Sequence, residues 1–177
     1  YGTGISDAVA RKFGQQGFQV ALAARNGEKL SAAAAALGEA GIKAGAFPCD
    51  LSNPDAVRAL VREVRGSLGP VTVVHWNAYG GAGGDFTTAK PEEIRTAFDV
   101  AVQGLIAGVQ EALPDLTEAK GAVLVTGGGG PLVSPMTNSE CVFVSGVPEI
   151  GPLMSRAYLP NRMKRWLRVD SICRGSV

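Results

Sequence analysis

The stretch Gly2-Thr3-Gly4-Ile5-Ser6 decides how the rest of the chain is read, because two glycines one residue apart run directly into a helical pattern. Ser6-Asp7 fits a short polar cap, followed by the apolar positions Val9 and Phe13 and, past Gly14 and Gly17, by Phe18-Gln19-Val20-Ala21-Leu22. With so few side chains at the turn, a pyrophosphate can approach backbone N–H groups at the positive end of a helix dipole. Plain turn chemistry accounts for glycine before a helix equally well, so the choice between the two rests on the residues downstream.

At 177 residues the chain is the length of one domain, 1–177, and long enough to bury a core. Its net charge of +1, from 17 basic and 16 acidic residues, supplies no field for nucleic acid or an anionic membrane, which leaves a small molecule as the expected partner. The apolar runs are broken by glycine or charge well short of the roughly 20 residues of a membrane span. No leader is visible, although a chain that opens in mid-motif could have lost one. Cys49, Cys141 and Cys173 are an odd number at wide spacing, which suits reduced, buried thiols in a cytoplasm rather than disulfides or a metal site.

Beyond the opening helix, Gln19 to Ala24 reads as a strand buried on both faces and ending at Arg25-Asn26. Glu28 to Ala40 is a helix closed by Gly41, and Lys43 to Pro48 a short strand that delivers Cys49-Asp50-Leu51-Ser52. Ser52 or Asn53 caps a helix with Pro54 in its first turn and a stripe of Val57, Leu60, Val61, Val64 and Leu68, stopped by Gly69-Pro70. Val71 to Trp76 is a further buried strand, followed by Asn77-Ala78-Tyr79 and the mobile-looking Gly80-Gly81-Ala82-Gly83-Gly84. A long helix from about Pro91 to Leu113 and a strand from Gly121 to Thr126, ending in Gly127 to Gly130, complete the alternation. The fold class is therefore α/β, a three-layer αβα Rossmann-like sandwich on a doubly wound parallel sheet. Ligands of such sheets sit beyond the carboxyl ends of the strands, where Arg25, Asp50 and Asn77 fall.

Gly2 to Gly130 resembles the short-chain dehydrogenase/reductase family of NAD(P)-dependent oxidoreductases. Gly2-Thr3-Gly4-Ile5 resembles the tail of the family's TGxxxGIG turn, with Ser6 in place of the last glycine. Asp50-Leu51 resembles the pair that contacts adenine, and Trp76-Asn77-Ala78-Tyr79 resembles the NNAG stretch. The resemblance implies a cofactor site of Gly2, Thr3, Gly4, Ile5, Arg25, Asp50, Leu51, Asn77, Ala78 and Tyr79. Each has a plainer alternative: Asp50 as a loop cap, Arg25 as a solvated strand end, Asn77 as a partner for buried backbone. A guanidinium just past its strand is placed to hold a 2′-phosphate bidentately, which favours NADP(H), with NAD(H) as the alternative. His75, the only histidine, lies inside an apolar strand and reads as a hydrogen-bonded core imidazole rather than a catalyst.

The family's chemistry, as the resemblance implies it, uses a Tyr-x-x-x-Lys pair, a serine after the strand ending at Thr126, and a helical asparagine. The asparagine slot holds Ala101 and the serine slot falls near Gly128. The tyrosine slot falls between Glu140 and Val144, where no tyrosine stands, so the catalytic residues are unknown. Tyr158-Leu159-Pro160-Asn161-Arg162 lies too late for that role, as does Ser145 before it, and Pro160 would break the helix that aligns the pair.

Residues 131–166 carry five prolines and no helical stripe, yet Leu167 to Val177 again resembles the family, with Arg174 where its proline stands. Two compensating frameshifts or a misread segment would leave such a pattern. By the family's standard the strand before Gly2 and the substrate lid after Val177 are also missing, so either upstream residues or a substitute arrangement must fill the middle of the sheet. The expected activity is hydride transfer between nicotinamide and an alcohol/carbonyl substrate. The rivals are an inactive dinucleotide-binding protein, acting as a sensor or oligomer partner, and a damaged copy with no function. The resemblance also implies a homodimer or homotetramer.

Overall fold

Helix signals and buried strands alternate along the chain as their local chemistry dictates. A computed structural model describes residues 4–80 and 87–126, together with the backbone of 139–145. Its elements are α1 (Ile5–Gly14), β1 (Gln19–Ala24), α2 (Gly27–Glu39), β2 (Ala44–Pro48), α3 (Pro54–Leu68), β3 (Val71–Ala78), α4 (Pro91–Phe98), α5 (Leu105–Glu118), β4 (Ala122–Val125) and β5 (Ser139–Ser145). A π-helical turn, Asp99–Gly104, joins α4 to α5.

Asparagine caps two of the helices. Asn26 Oδ1 accepts from the Lys29 N–H at 2.9 Å, and Asn53 Oδ1 accepts from the N–H groups of Asp55 and Ala56 with Pro54 beside it. Such caps satisfy amides that have no partner inside the helix. Of the two capping candidates before Pro54, it is thus Asn53 that caps.

β1 and β3 are buried almost throughout, and their alternating side chains build two cores. Val20, Leu22 and Val73 pack with Ala10, Phe18, Leu30, Leu37 and Ile42, beneath α1 and α2. Ala21, Ala23, Val74 and Trp76 pack with Val57, Leu60, Val61, Val64, Ala107, Ala112 and Leu116, beneath α3 and α5. Val71 joins Val74 and Trp76 on that second face despite the odd spacing, because the pairing of β3 with β5 slips by one residue between Val71 and Val73. Each fully buried Val or Leu contributes about 1.5–3 kcal/mol, so the stripe on α3 alone fixes that helix to the sheet.

The strand order is β2-β1-β5-β3-β4. β1 with β2 and β3 with β4 pair in parallel, while β5 runs antiparallel to both of its neighbours. The expected parallel doubly wound arrangement therefore holds in β1 to β4. The middle slot, for which the sequence demanded an occupant, is filled by β5, whose Ser139 pairs with Ala78 and whose Ser145 pairs with Gln19.

The long helix expected to end at Leu113 continues to Glu118, through Pro114. Proline forfeits a helical hydrogen bond there. The surrounding turn is held from α3 instead: Arg65 donates to the Glu111 carbonyl at 2.8 Å and to Asp115 Oδ2 at 2.8 Å, and Asp115 Oδ2 also accepts from the Val71 N–H at 3.0 Å. The expected features within 81–86, 127–138 and 146–177, among them Gly81 to Gly84, Gly127 to Gly130 and the family-like Leu167 to Val177, lie outside the described residues.

Candidate functional site

Because β1, β2 and β3 run in the same direction, their carboxyl ends deliver Arg25, Asp50 and Tyr79 to one edge of the sheet. A cleft of about 520 Å³ opens there. Arg25, Asp50, Leu51, Ser52, Tyr79 and Gly80 line its sheet side, and Glu92, Glu93, Thr96, Ala97 and Val100 its helical side. The helical wall comes close because residue 80 is glycine: a Cβ there would lie 2.5 Å from the Ala97 Cα.

Asp50 is fixed by its own loop. Its Oδ1 accepts from the Ser52 N–H at 3.0 Å and from the Ser52 hydroxyl at 2.8 Å. The Ser52 backbone bond and then its hydroxyl bond hold the carboxyl below the usual range, with Arg25 adding a smaller pull in the same direction and burial opposing. Asp50 Oδ2 accepts no hydrogen bond from a described residue. Ser52, a capping candidate in the sequence, serves here to aim Asp50.

The glycine turn places Gly4 at the N-cap of α1, with no side chain capping the helix and Ile5 exposed. Ser6 was expected to help cap this helix. The helix instead starts two residues earlier than a Ser6 cap requires, at Ile5, so Ser6 falls within the first turn and faces inward, fully buried. Its Oγ accepts from Asn77 Nδ2 at 3.0 Å. Asn77 Oδ1 is buried without a hydrogen-bond partner among the described residues.

Of the predicted site residues, the structure thus gathers Arg25, Asp50, Leu51 and Tyr79 in one cleft. Gly4 and Ile5 stand at the start of α1, Asn77 is linked to that turn through Ser6, and Ala78 is buried at the end of β3. Gly2 and Thr3 lie outside the described residues, as do Gly128 and Tyr158; of Ser145 only the backbone is described. Ala101 lies in the π-helical turn, half-buried.

Two further residues behave as core groups. His75 is buried, its Nε2 lies 2.9 Å from Thr126 Oγ1, and burial lowers its pKa from the usual 6.5. The buried Cys49 thiol is pushed up to about 11, first by burial and then by the nearby Asp50 and Glu63 carboxylates, so it stays protonated.

Sequence reading did not find the helical wall. The signal was present: Glu92, Thr96 and Val100 recur every four residues, the spacing of one helix face. No group of three or more His, Cys, Asp and Glu residues that could hold a metal ion occurs among the described residues, and none of their helices is long and apolar enough to cross a membrane.

The fold defines a Rossmann-type α/β protein, with a cleft at the carboxyl edge of its sheet. The family model described as short chain dehydrogenase matches residues 1–131, and the chain belongs to that family of oxidoreductases. It is 30% identical over 124 residues to an uncharacterized oxidoreductase of Staphylococcus aureus strain MW2, covering 70% of this chain and 53% of that protein. The chain thus spans about half the length of the curated relatives it matches. Among solved structures, a metagenomic short-chain oxidoreductase in complex with NADP is 34% identical with a TM-score of 0.63, covering 69% of this chain and 56% of that one. A Burkholderia cenocepacia short chain dehydrogenase, also in complex with NADP, is 28% identical with a TM-score of 0.66, covering 71% and 51%.

Proposed function

We propose that this chain binds NADP(H) and serves hydride transfer between the nicotinamide and a small alcohol or carbonyl substrate. The observation that carries the reading is the convergence of Arg25, Asp50, Leu51 and Tyr79 on one cleft, at the strand ends where a dinucleotide would lie. The buried, unpartnered Asn77 Oδ1 supports it, because such an atom calls for a partner beyond the described residues. NADP-bound relatives support the cofactor class.

Bound there, the cofactor supplies a hydride at nicotinamide C4. The guanidinium of Arg25 would hold a 2′-phosphate, and Asp50 Oδ2 would accept from the adenine amino group. Leu51 and Val100, which line the same cleft, would supply apolar contact to the base. The uncapped first amides of α1, in a turn braced by the Ser6–Asn77 bond, would receive the pyrophosphate. The protein acts in the cytoplasm. It associates as a homodimer or homotetramer through α4 and α5, which expose Ile94, Phe98, Ile106 and Leu113.

Ala101 favours a second reading, a dinucleotide-binding protein without turnover, because that position in the helix carries no polar side chain. Titration of the full chain with NADPH, followed by an aldehyde and ketone panel, separates the two. Saturable binding weakened at least tenfold by Arg25→Ala supports the cofactor site, and turnover then selects the enzyme. Binding without turnover selects the binder, and no binding at all overturns both.

A further inference from the structure

Apart from Arg25, the charged side chains that line the cleft among the described residues are acidic. They are the carboxylates of Asp50, Glu92 and Glu93. Asp50 is already committed to Ser52 by two hydrogen bonds. Glu93 has Lys90 Nζ at 3.8 Å, whereas Glu92 has no cation within ion-pair distance among the described residues. Both glutamates sit in the first turn of α4, a helix that no side chain caps, and the Gly80–Ala97 approach draws that helix against the end of β3.

We propose that Glu92 and Glu93 are specificity-determining residues that oppose the charge attracted by Arg25, so that the cleft discriminates only weakly between NADPH and NADH; this rests on the cofactor site proposed above. The physical reason is the difference between the two ligands. A 2′-phosphate carries about −1.5 to −2 charge near neutral pH, as phosphate monoesters do, and the two ribose hydroxyls of NADH carry none. Carboxylates that line the same cleft would repel the first ligand more than the second. The glutamates also favour the N-terminal end of α4 through its dipole. That role concerns helix stability and would move both affinities together.

The test measures dissociation constants for NADPH and NADH with the full chain, its Glu92→Gln and Glu93→Gln variants and the double variant. Glu118→Gln, exposed at the far end of α5, is the control for charge alone. At low salt the double variant is expected to bind NADPH roughly threefold to tenfold more tightly, with NADH changed by less than about twofold. Glu92→Gln should contribute the larger share, and the difference should shrink at about 0.5 M salt, where screening acts within a few ångströms. An unchanged NADPH/NADH ratio, in a chain that does bind NADPH, overturns this proposal and leaves the cofactor site standing. Wild-type chain that binds neither dinucleotide overturns the cofactor site and this proposal with it.

Discussion

Asn77 donates through Nδ2 to the hydroxyl of Ser6, a residue 71 positions away, in a fully buried 3.0 Å hydrogen bond. It ties the first turn of α1 to the carboxyl end of β3, and so sets where the uncapped amides of the glycine turn point. Ser6→Ala removes the acceptor and leaves a buried amide donor unsatisfied, at a cost of about 1–3 kcal/mol. Urea unfolding should register that loss. A Ser6→Ala/Asn77→Ala cycle should give a coupling of at least about 0.5 kcal/mol, and strict additivity would mean the bond does not organise the turn.

His75 makes stability depend on pH near neutrality. Burial lowers its folded-state pKa, so between that value and the unfolded 6.5 the unfolded chain binds a proton that the folded chain does not. Stability from this group is fully present above about pH 6.5 and is lost as pH falls from there, by up to about 1.4 kcal/mol per pH unit. His75→Asn should flatten the curve between pH 7 and 5.5. Parallel curves for the two proteins would show that the imidazole is protonated as readily in the fold as outside it.

How far the sequence reveals this molecule depends on the range of the interaction involved. β1 is legible to the residue, and α2, β2 and α3 to within one, because asparagine caps, Pro54 and apolar periodicity act within a few positions. Arg25 and Asp50 were readable for the same reason, since strand ends locate them. The partners of these groups were not readable. Ser6 and Asn77, and Gly80 and Ala97, come together through the packing of α1 and α4 on the sheet, which leaves no local trace. The end of α5 was misplaced because proline usually stops a helix, whereas here Arg65, some 50 residues away in sequence, holds the turn. That the middle strand should come from Ser139–Ser145, and run antiparallel, is likewise a long-range outcome: the slot between β1 and β3 must be filled for its backbone groups to pair.

The link from α3 to the Pro114 turn gives a further prediction. Asp115→Ala leaves Arg65 Nε and the Val71 N–H without their acceptor, so a loss of about 1–3 kcal/mol is expected. Both bonds go to the same oxygen, Oδ2, so Asp115→Asn keeps an acceptor for the two donors, gives up only the charge, and should lose less. Thermal melts that rank alanine below asparagine below wild type support the bracing role. Equal melts for all three would show that α5 tolerates Pro114 unaided.

The same substitution at two helical glycines should act in opposite directions. At Gly104 a Cβ would fall within the van der Waals shell of the Leu51 carbonyl oxygen and 3.0 Å from the Trp76 ring. A backbone carbonyl cannot rotate away, so Gly104→Ala must push the helix off the Leu51 loop, at about 1–3 kcal/mol, more than the gain of roughly 1 kcal/mol in helix propensity. Leu51 and Val100 line the cleft, and the shift should separate them and weaken NADPH binding in proportion. At Gly66, in the last turn of α3, a Cβ meets nothing within 4 Å, and Gly66→Ala should stabilise by about 0.5–1 kcal/mol. Denaturation midpoints that move apart, with NADPH affinity reduced only in the Gly104 variant, are expected if α5 seats directly on the Leu51 loop. Midpoints that rise together would show that the contact is loose enough for a methyl group, and the cleft correspondingly less defined.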